Sequence, residues 1–187
     1  MIPPHPFEKI APGRLRFYVA PIGALCVILF GVMDWLIDTG PTWRSFAEFT
    51  ASGSPERAAA ILEEWSVRDR THVAFVSGLD FLFGPLYANL LALGSIWASR
   101  VFRRPAHVEL GVAFAWIAWL VLLLDIPENL AYFNMARGLV ETPWPEISAA
   151  CVKSRTGIVI VALTYIGLAI RVRWRERSLV RVDAQRD

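Results

Sequence analysis

Four apolar blocks constrain this chain more than any other feature, because each approaches the roughly 20 residues a helix needs to cross a bilayer. They run from about Phe17 to Leu36, Ala74 to Ser99, Val108 to Phe133 and Ile147 to Ile170. The apolar residues lie in continuous runs rather than alternating, and only helices satisfy the backbone of such segments in lipid without closing a barrel. The expected fold is therefore all-α, a bundle of four transmembrane helices. Residues 1–187 then form a single membrane domain, with little room for a separate soluble one.

Charge placement orients the bundle. Lys9, Arg14 and Arg16 precede the first block, and Arg100, Arg103 and Arg104 separate the second from the third. Arg171, Arg173, Arg175, Arg177, Arg181 and Arg186 follow the fourth. The first connecting loop outnumbers its arginines with acids, and the third holds only Arg137. The positive-inside rule then expects a multi-pass protein of a bacterial inner membrane with both termini cytoplasmic. The first block follows a basic stretch, but no small-x-small cleavage site follows Trp35, which reads as an uncleaved signal-anchor. The C-terminal arginines fix topology and meet anionic headgroups; no folded basic surface invites nucleic acid. Cys26 lies mid-span and Cys151 near the outer start of the fourth span, so they are expected as buried apolar residues rather than a disulfide.

Outside the spans, Pro3, Pro4, Pro6 and Pro12 make Met1 to Gly13 irregular. The loop from Asp38 to His72 is too long to be a simple connector. Ser54-Pro55 reads as an N-cap followed by proline at the first helical position. Ala58, Ile61, Leu62 and Trp65 then recur at helical spacing, opposite Glu56, Arg57, Glu63 and Glu64. The expectation is an extracytoplasmic amphipathic helix over about 55–66, lying flat in the interface or capping the bundle as a lid. Trp43, Phe46 and Phe49 are expected as further interfacial anchors. Trp144 on the outside, and Trp97 and Trp174 on the inside, suit aromatic belts.

Ionisable side chains in hydrocarbon cost several kcal/mol, so those inside the blocks mark a site. Asp80, Gly84 and Tyr87 share one helix face, with Asn89 roughly opposite; Asp125, Glu128, Asn129 and Tyr132 share another. Lys153 and Arg155 open the fourth span. At 1.5 Å per residue, Asp80 and Lys153 lie about 9 Å, and Asp125 about 12 Å, below the outer ends of their spans. Asp34, beside Trp35, reads as an interfacial acid. Pro85 and Pro127 free the carbonyls of Phe81 and Leu123, close to the acids, which in lipid asks for a partner or a wet cavity. The expectation is one periplasm-facing polar chamber lined by Asp80, Asp125, Glu128 and Asn129, with Tyr87 as floor and Lys153 as counter-charge.

The run Leu79-Asp80-Phe81-Leu82-Phe83-Gly84-Pro85-Leu86-Tyr87, paired with Leu124-Asp125-Ile126-Pro127-Glu128-Asn129, resembles a family of small four-helix bacterial membrane proteins. In that family an Asp-aromatic-x-Phe-x-x-x-Tyr helix precedes a span ending in Asp-x-x-Glu-Asn, and a basic residue, usually lysine, opens the last span. The resemblance covers roughly Ala58 to Thr156. It implies the four-helix architecture and the choice of Asp80, Tyr87, Asp125, Glu128, Asn129 and Lys153, and carries no activity.

Three functions fit these residues. The first is binding of a small or amphiphilic ligand, such as a lipid, with a membrane-protein partner or a second copy alongside. The second is an intramembrane enzyme at the outer leaflet, with Asp125 as acid and Glu128 as base. Such a pair could protonate an isoprenoid double bond without a cofactor, and Pro127-Glu128 resembles carotenoid cyclases, which carry a second acid where this chain has Asn129. The third is a structural polar network in an accessory subunit. No cofactor is expected. Asp80, Asp125 and Glu128 offer oxygen ligands for Mg2+ or Mn2+, but Lys153 competes with a cation, so no metal site is expected.

Overall fold

The structure is a computed structural model that describes residues 2–183. Arg186 lies outside the described residues, as do the side chains of Arg177 and Arg181. Six α-helices account for nearly all of it: α1 (Leu15–Asp38), α2 (Trp43–Thr50), α3 (Pro55–Glu64), α4 (Val67–Ser99), α5 (Pro105–Ala136) and α6 (Trp144–Asp183). The helices α1, α4, α5 and α6 are each long and apolar enough to cross a membrane. They match the four apolar blocks, but α4 begins seven residues before Ala74. Ser66 starts it with a reciprocal capping box to Asp69, which lets a polar first turn extend the apolar run.

α4 is the hub of the bundle: α1, α5 and α6 all pack on it, and α5 also pairs with α6. Close approach relies on small residues, with Ala92, Ala115, Ala118 and Ala162 buried together among Leu91, Ile96 and Val112. Gly111 marks the tightest crossing. A Cβ there would sit 2.5 Å from Ser99 Cβ and 2.6 Å from the Tyr165 hydroxyl.

The segment between α1 and α4 is a folded cap. The expected helix forms as α3, with Ser54 accepting the Arg57 N–H and Pro55 at the first position. Its apolar face packs inward through Ala58, Leu62 and Trp65 against Ile37, Val73 and Met135. A second helix, α2, lies between α1 and α3. It turns off α1 through Gly40-Pro41-Thr42, and Thr42 accepts the Ser45 N–H to start it. Phe49 is fully buried 4.5 Å from the Trp65 ring, while Trp43 and Phe46 turn toward a cavity. Of the three expected interfacial anchors, Phe49 is instead a core residue, whereas Phe46 is half-buried and Trp43 keeps exposed surface. Trp144 likewise packs on this cluster, whereas Trp174 is exposed and Trp97 lies under the Arg173 guanidinium.

At the other end the N-terminal segment is docked. Pro6–Lys9 and Pro12–Arg14 are short 3-10 turns. Arg100 Nη2 donates to the carbonyls of Glu8 (3.0 Å) and Ile10 (2.8 Å), and Trp116 Nε1 donates to Pro3 O (2.9 Å). His5 is buried among the rings of Phe7, Trp116 and Trp119.

Candidate functional site

The polar residues on α4 and α5 meet around one guanidinium. Asp80 and Tyr87 come from α4; Asp125, Glu128, Asn129 and Tyr132 come from consecutive turns of α5. Asp125, Glu128, Asn129 and Tyr132 are at most 4% exposed, and Asp80 is 8% exposed. Arg155 of α6 reaches all three acids: Nη2 lies 2.5 Å from Glu128 Oε1, and Nη1 lies 3.1 Å from Asp125 Oδ1 and 3.7 Å from Asp80 Oδ2. The Tyr87 hydroxyl donates to Asp125 (2.9 Å), and the Tyr132 hydroxyl donates to Glu128 Oε1.

The counter-charge is therefore Arg155 and not Lys153. Lys153 is exposed, and two residues along a helix place side chains about 200° apart, so only one of the two can face the bundle. A sequence signal for the choice exists: Ser148, Arg155, Ala162 and Ala169 are spaced by seven. Ser148, Ala162 and Ala169 are buried small residues on the stripe of α6 that faces its neighbours. Arginine also suits the place better than lysine, because its planar fork can meet several carboxylates at once. Glu128 is completely enclosed.

Beside this cluster lies a cavity of about 610 Å3. Asp80, Tyr87, Asn129, Tyr132 and Arg155 line it; Asp125 and Glu128 sit behind them. Its remaining wall is apolar, with Phe30 and Met33 from α1, Leu91 from α4, and Val159, Ile160 and Leu163 from α6. Phe30, Ile160 and Leu163 are at least half exposed, so the cavity opens sideways between α1 and α6. α2 roofs it with Trp43, Phe46 and Thr50, and is tied to α6 by Ser148 Oγ donating to Thr50 O.

Among the described residues, two groups in the site have no protein partner. Neither Nδ2 nor Oδ1 of the fully buried Asn129 amide is hydrogen-bonded, and Glu128 Oε2 is also unpaired. Both Tyr132 and Arg155 converge on Oε1, which leaves the second oxygen free.

Other expectations change. Phe81, Pro85, Leu123 and Pro127 do not line the cavity, and the side chains of Phe81 and Leu123 point outward. The freed carbonyls are therefore not what makes the chamber; the gap between α1 and α6 is. Asn89 does lie away from the cluster, where its Oδ1 accepts from Trp119 Nε1. Asp34, exposed, accepts from Trp43 Nε1 and so fastens α2. His72 Nδ1 lies 2.9 Å from Leu36 O, a structural contact at the cap. Cys26 and Cys151 are free and buried. Among the described residues no three His, Cys, Asp or Glu side chains are disposed to hold a metal ion.

Searches against family models, curated proteins and solved structures find no match to this chain.

Proposed function

We propose that the protein binds an amphiphile, such as a lipid, in the cavity beside Arg155, with the polar head at Asp80 and Asn129 and the chain in the gap between α1 and α6. The observation that carries this reading is the Asn129 amide. Buried polar groups are nearly always hydrogen-bonded, and leaving one unpaired costs about 1–3 kcal/mol. Here both a donor and an acceptor lack a partner on a buried residue that borders the cavity. The apolar remainder of the wall suits a hydrocarbon chain, and a lateral opening suits a ligand that arrives from within the bilayer.

The setting follows from charge. Lys9, Arg14, Arg16, Arg100, Arg103 and Arg104 gather at the bundle end opposite α2 and α3, together with Arg171, Arg173 and Arg175. This supports a bacterial inner-membrane protein with cytoplasmic termini, an extracytoplasmic cap of α2 and α3, and a site in the outer half of the membrane.

The competing reading is an intramembrane enzyme with Asp125 and Glu128 as acid and base. Both stand behind the cavity wall, engaged by Arg155 and a tyrosine each, which favours binding over catalysis by that pair. A purely structural network, in an accessory subunit or a homo-oligomer, accounts for Arg155 but leaves the unpaired Asn129 amide unexplained.

The test is native mass spectrometry of protein extracted in an uncharged maltoside. A retained amphiphile is expected, and it should be lost in Val159→Trp, which fills the apolar wall. Absence of any retained or added amphiphile from the wild-type protein would refute the reading.

A further inference from the structure

The wall of the cavity carries more aromatic surface than a hydrocarbon chain needs. Six of its rings form one connected arc. Phe30 stacks near Trp43 with centroids 6.1 Å apart, Trp43 meets Phe46 edge-on at 5.9 Å, and Phe46 meets Tyr132 at 5.9 Å. In the other direction Phe30 lies 6.4 Å from Phe83, and Phe83 lies 5.4 Å from Tyr87. The arc draws on α1, α2, α4 and α5, so it is a feature of the assembled fold and not of one amphipathic stripe.

Charge in the arc has one sign to spare. Three carboxyls face one guanidinium, and Arg155 already turns Nη1 and Nη2 toward them. With all groups ionised the cluster is two positive charges short of neutrality, which protons or a cation must supply. Among the three acids only Asp80 lines the cavity, and its contact with Arg155 is the longest, at 3.7 Å. Among the described residues no tyrosine hydroxyl serves Asp80 in the way that Tyr87 serves Asp125 and Tyr132 serves Glu128; its amide neighbour is Asn129. An anionic head would be pressed against three carboxylates to reach a guanidinium already engaged. A carboxylate on a cavity wall bordered by aromatic rings is instead the environment that recognises alkylated ammonium groups, since ring faces are negative and Asp80 supplies the full charge.

We propose that the cavity is built for an alkylammonium amphiphile, whose cationic nitrogen sits against Asp80 within the arc from Tyr87 to Tyr132. The proposal rests on the reading of this cavity as an amphiphile site, and it names the chemistry of the head. Asn129 then serves the first polar atom beyond the nitrogen, and the chain leaves between Ile160 and Phe30.

The experiment is isothermal titration of the full chain in maltoside micelles with three probes of equal chain length. They are dodecyltrimethylammonium, its neutral isostere ending in a tert-butyl group, and dodecyl phosphate. The ammonium probe should bind at least about tenfold more tightly than either of the others. Asp80→Asn should reduce that preference to below about threefold. Trp43→Leu, on the half-exposed roof helix, should weaken the ammonium probe selectively and provides a second variant should Asp80→Asn misfold. If the three probes bind alike, or if both variants keep the preference, the ammonium assignment falls while the amphiphile cavity stands. If no probe binds, the cavity reading falls with it.

Discussion

Gly84 of α4 lies directly against the Asp125 carboxylate of α5: a Cβ at position 84 would stand 2.7 Å from Asp125 Oδ2. The carboxylate cannot retreat freely, because the Tyr87 hydroxyl and the Arg155 guanidinium hold it. Gly84→Ala should therefore destabilise the bundle by about 1–3 kcal/mol through overpacking. Gly78, earlier on the same helix and exposed, has nothing within 4 Å of its absent Cβ, so Gly78→Ala should raise stability by about 0.5–1 kcal/mol through helix propensity. Thermal unfolding of the two variants in one detergent checks both signs; equal behaviour would mean that α4 and α5 are not in this contact.

Arg155 and Lys153 should respond in opposite ways. Arg155→Leu strands three carboxyls in the bundle and should cost about 3–5 kcal/mol, the range for breaking a buried pair from one side. Lys153→Leu should fall within about 0.5 kcal/mol of wild type, as an exposed substitution does. Asp80→Asn, which loses only the longest of the three ion contacts, should cost clearly less than Arg155→Leu. Chemical unfolding in mixed micelles gives the order. A Lys153 variant as damaging as the Arg155 variant would place the counter-charge where the sequence first suggested.

The sequence makes the acids visible because their positions are locally anomalous. Asp80, Asp125 and Glu128 interrupt apolar helices, and such residues are costly enough to need partners. The four long helices are visible for the same local reason, as continuous apolar runs. What could not be read that way depends on rotation and docking. Lys153 and Arg155 lie at similar depth, and only the packing of α6 through Ala162, Tyr165 and Ala169 turns Arg155 inward. That Trp43 and Phe46 border the cavity depends on α2 folding over the bundle. The lateral opening is a gap between two helices and has no sequence of its own.

The roof is a candidate moving part, and its clamp is specific. Ser148 Oγ donates to the carbonyl of Thr50 in a fully buried position, joining the end of α2 to the start of α6. Ser148→Ala removes that donor and should cost about 1–3 kcal/mol, felt first at the roof. Hydrogen exchange should quicken across Trp43 to Thr50 with little change in α4. Uniform acceleration through all the helices would mean that α2 is part of the global fold and not a separable cover.

The N-terminal segment should be sensitive to acid. Burial lowers the His5 pKa below its ordinary value, and the nearby Glu8 carboxylate opposes this. Nδ1 accepts the Phe7 N–H, and Nε2 is buried with no partner, so the docked ring is neutral. A released segment would titrate near the model-peptide value of about 6.5. The free form therefore binds more protons than the docked form in the window between the two pKa values. Docking is then at full strength above about pH 6.5 and weakens as the pH falls through that window. Arg100, which holds the Glu8 and Ile10 carbonyls, adds like charge that a protonated His5 would feel. Hydrogen exchange at residues 5–10, compared at neutral and mildly acidic pH, should show release on acidification, and His5→Phe should abolish the difference by keeping the aromatic contacts with Trp116 and Trp119 without a titrating group. Acid release that persists in His5→Phe would remove His5 as its cause.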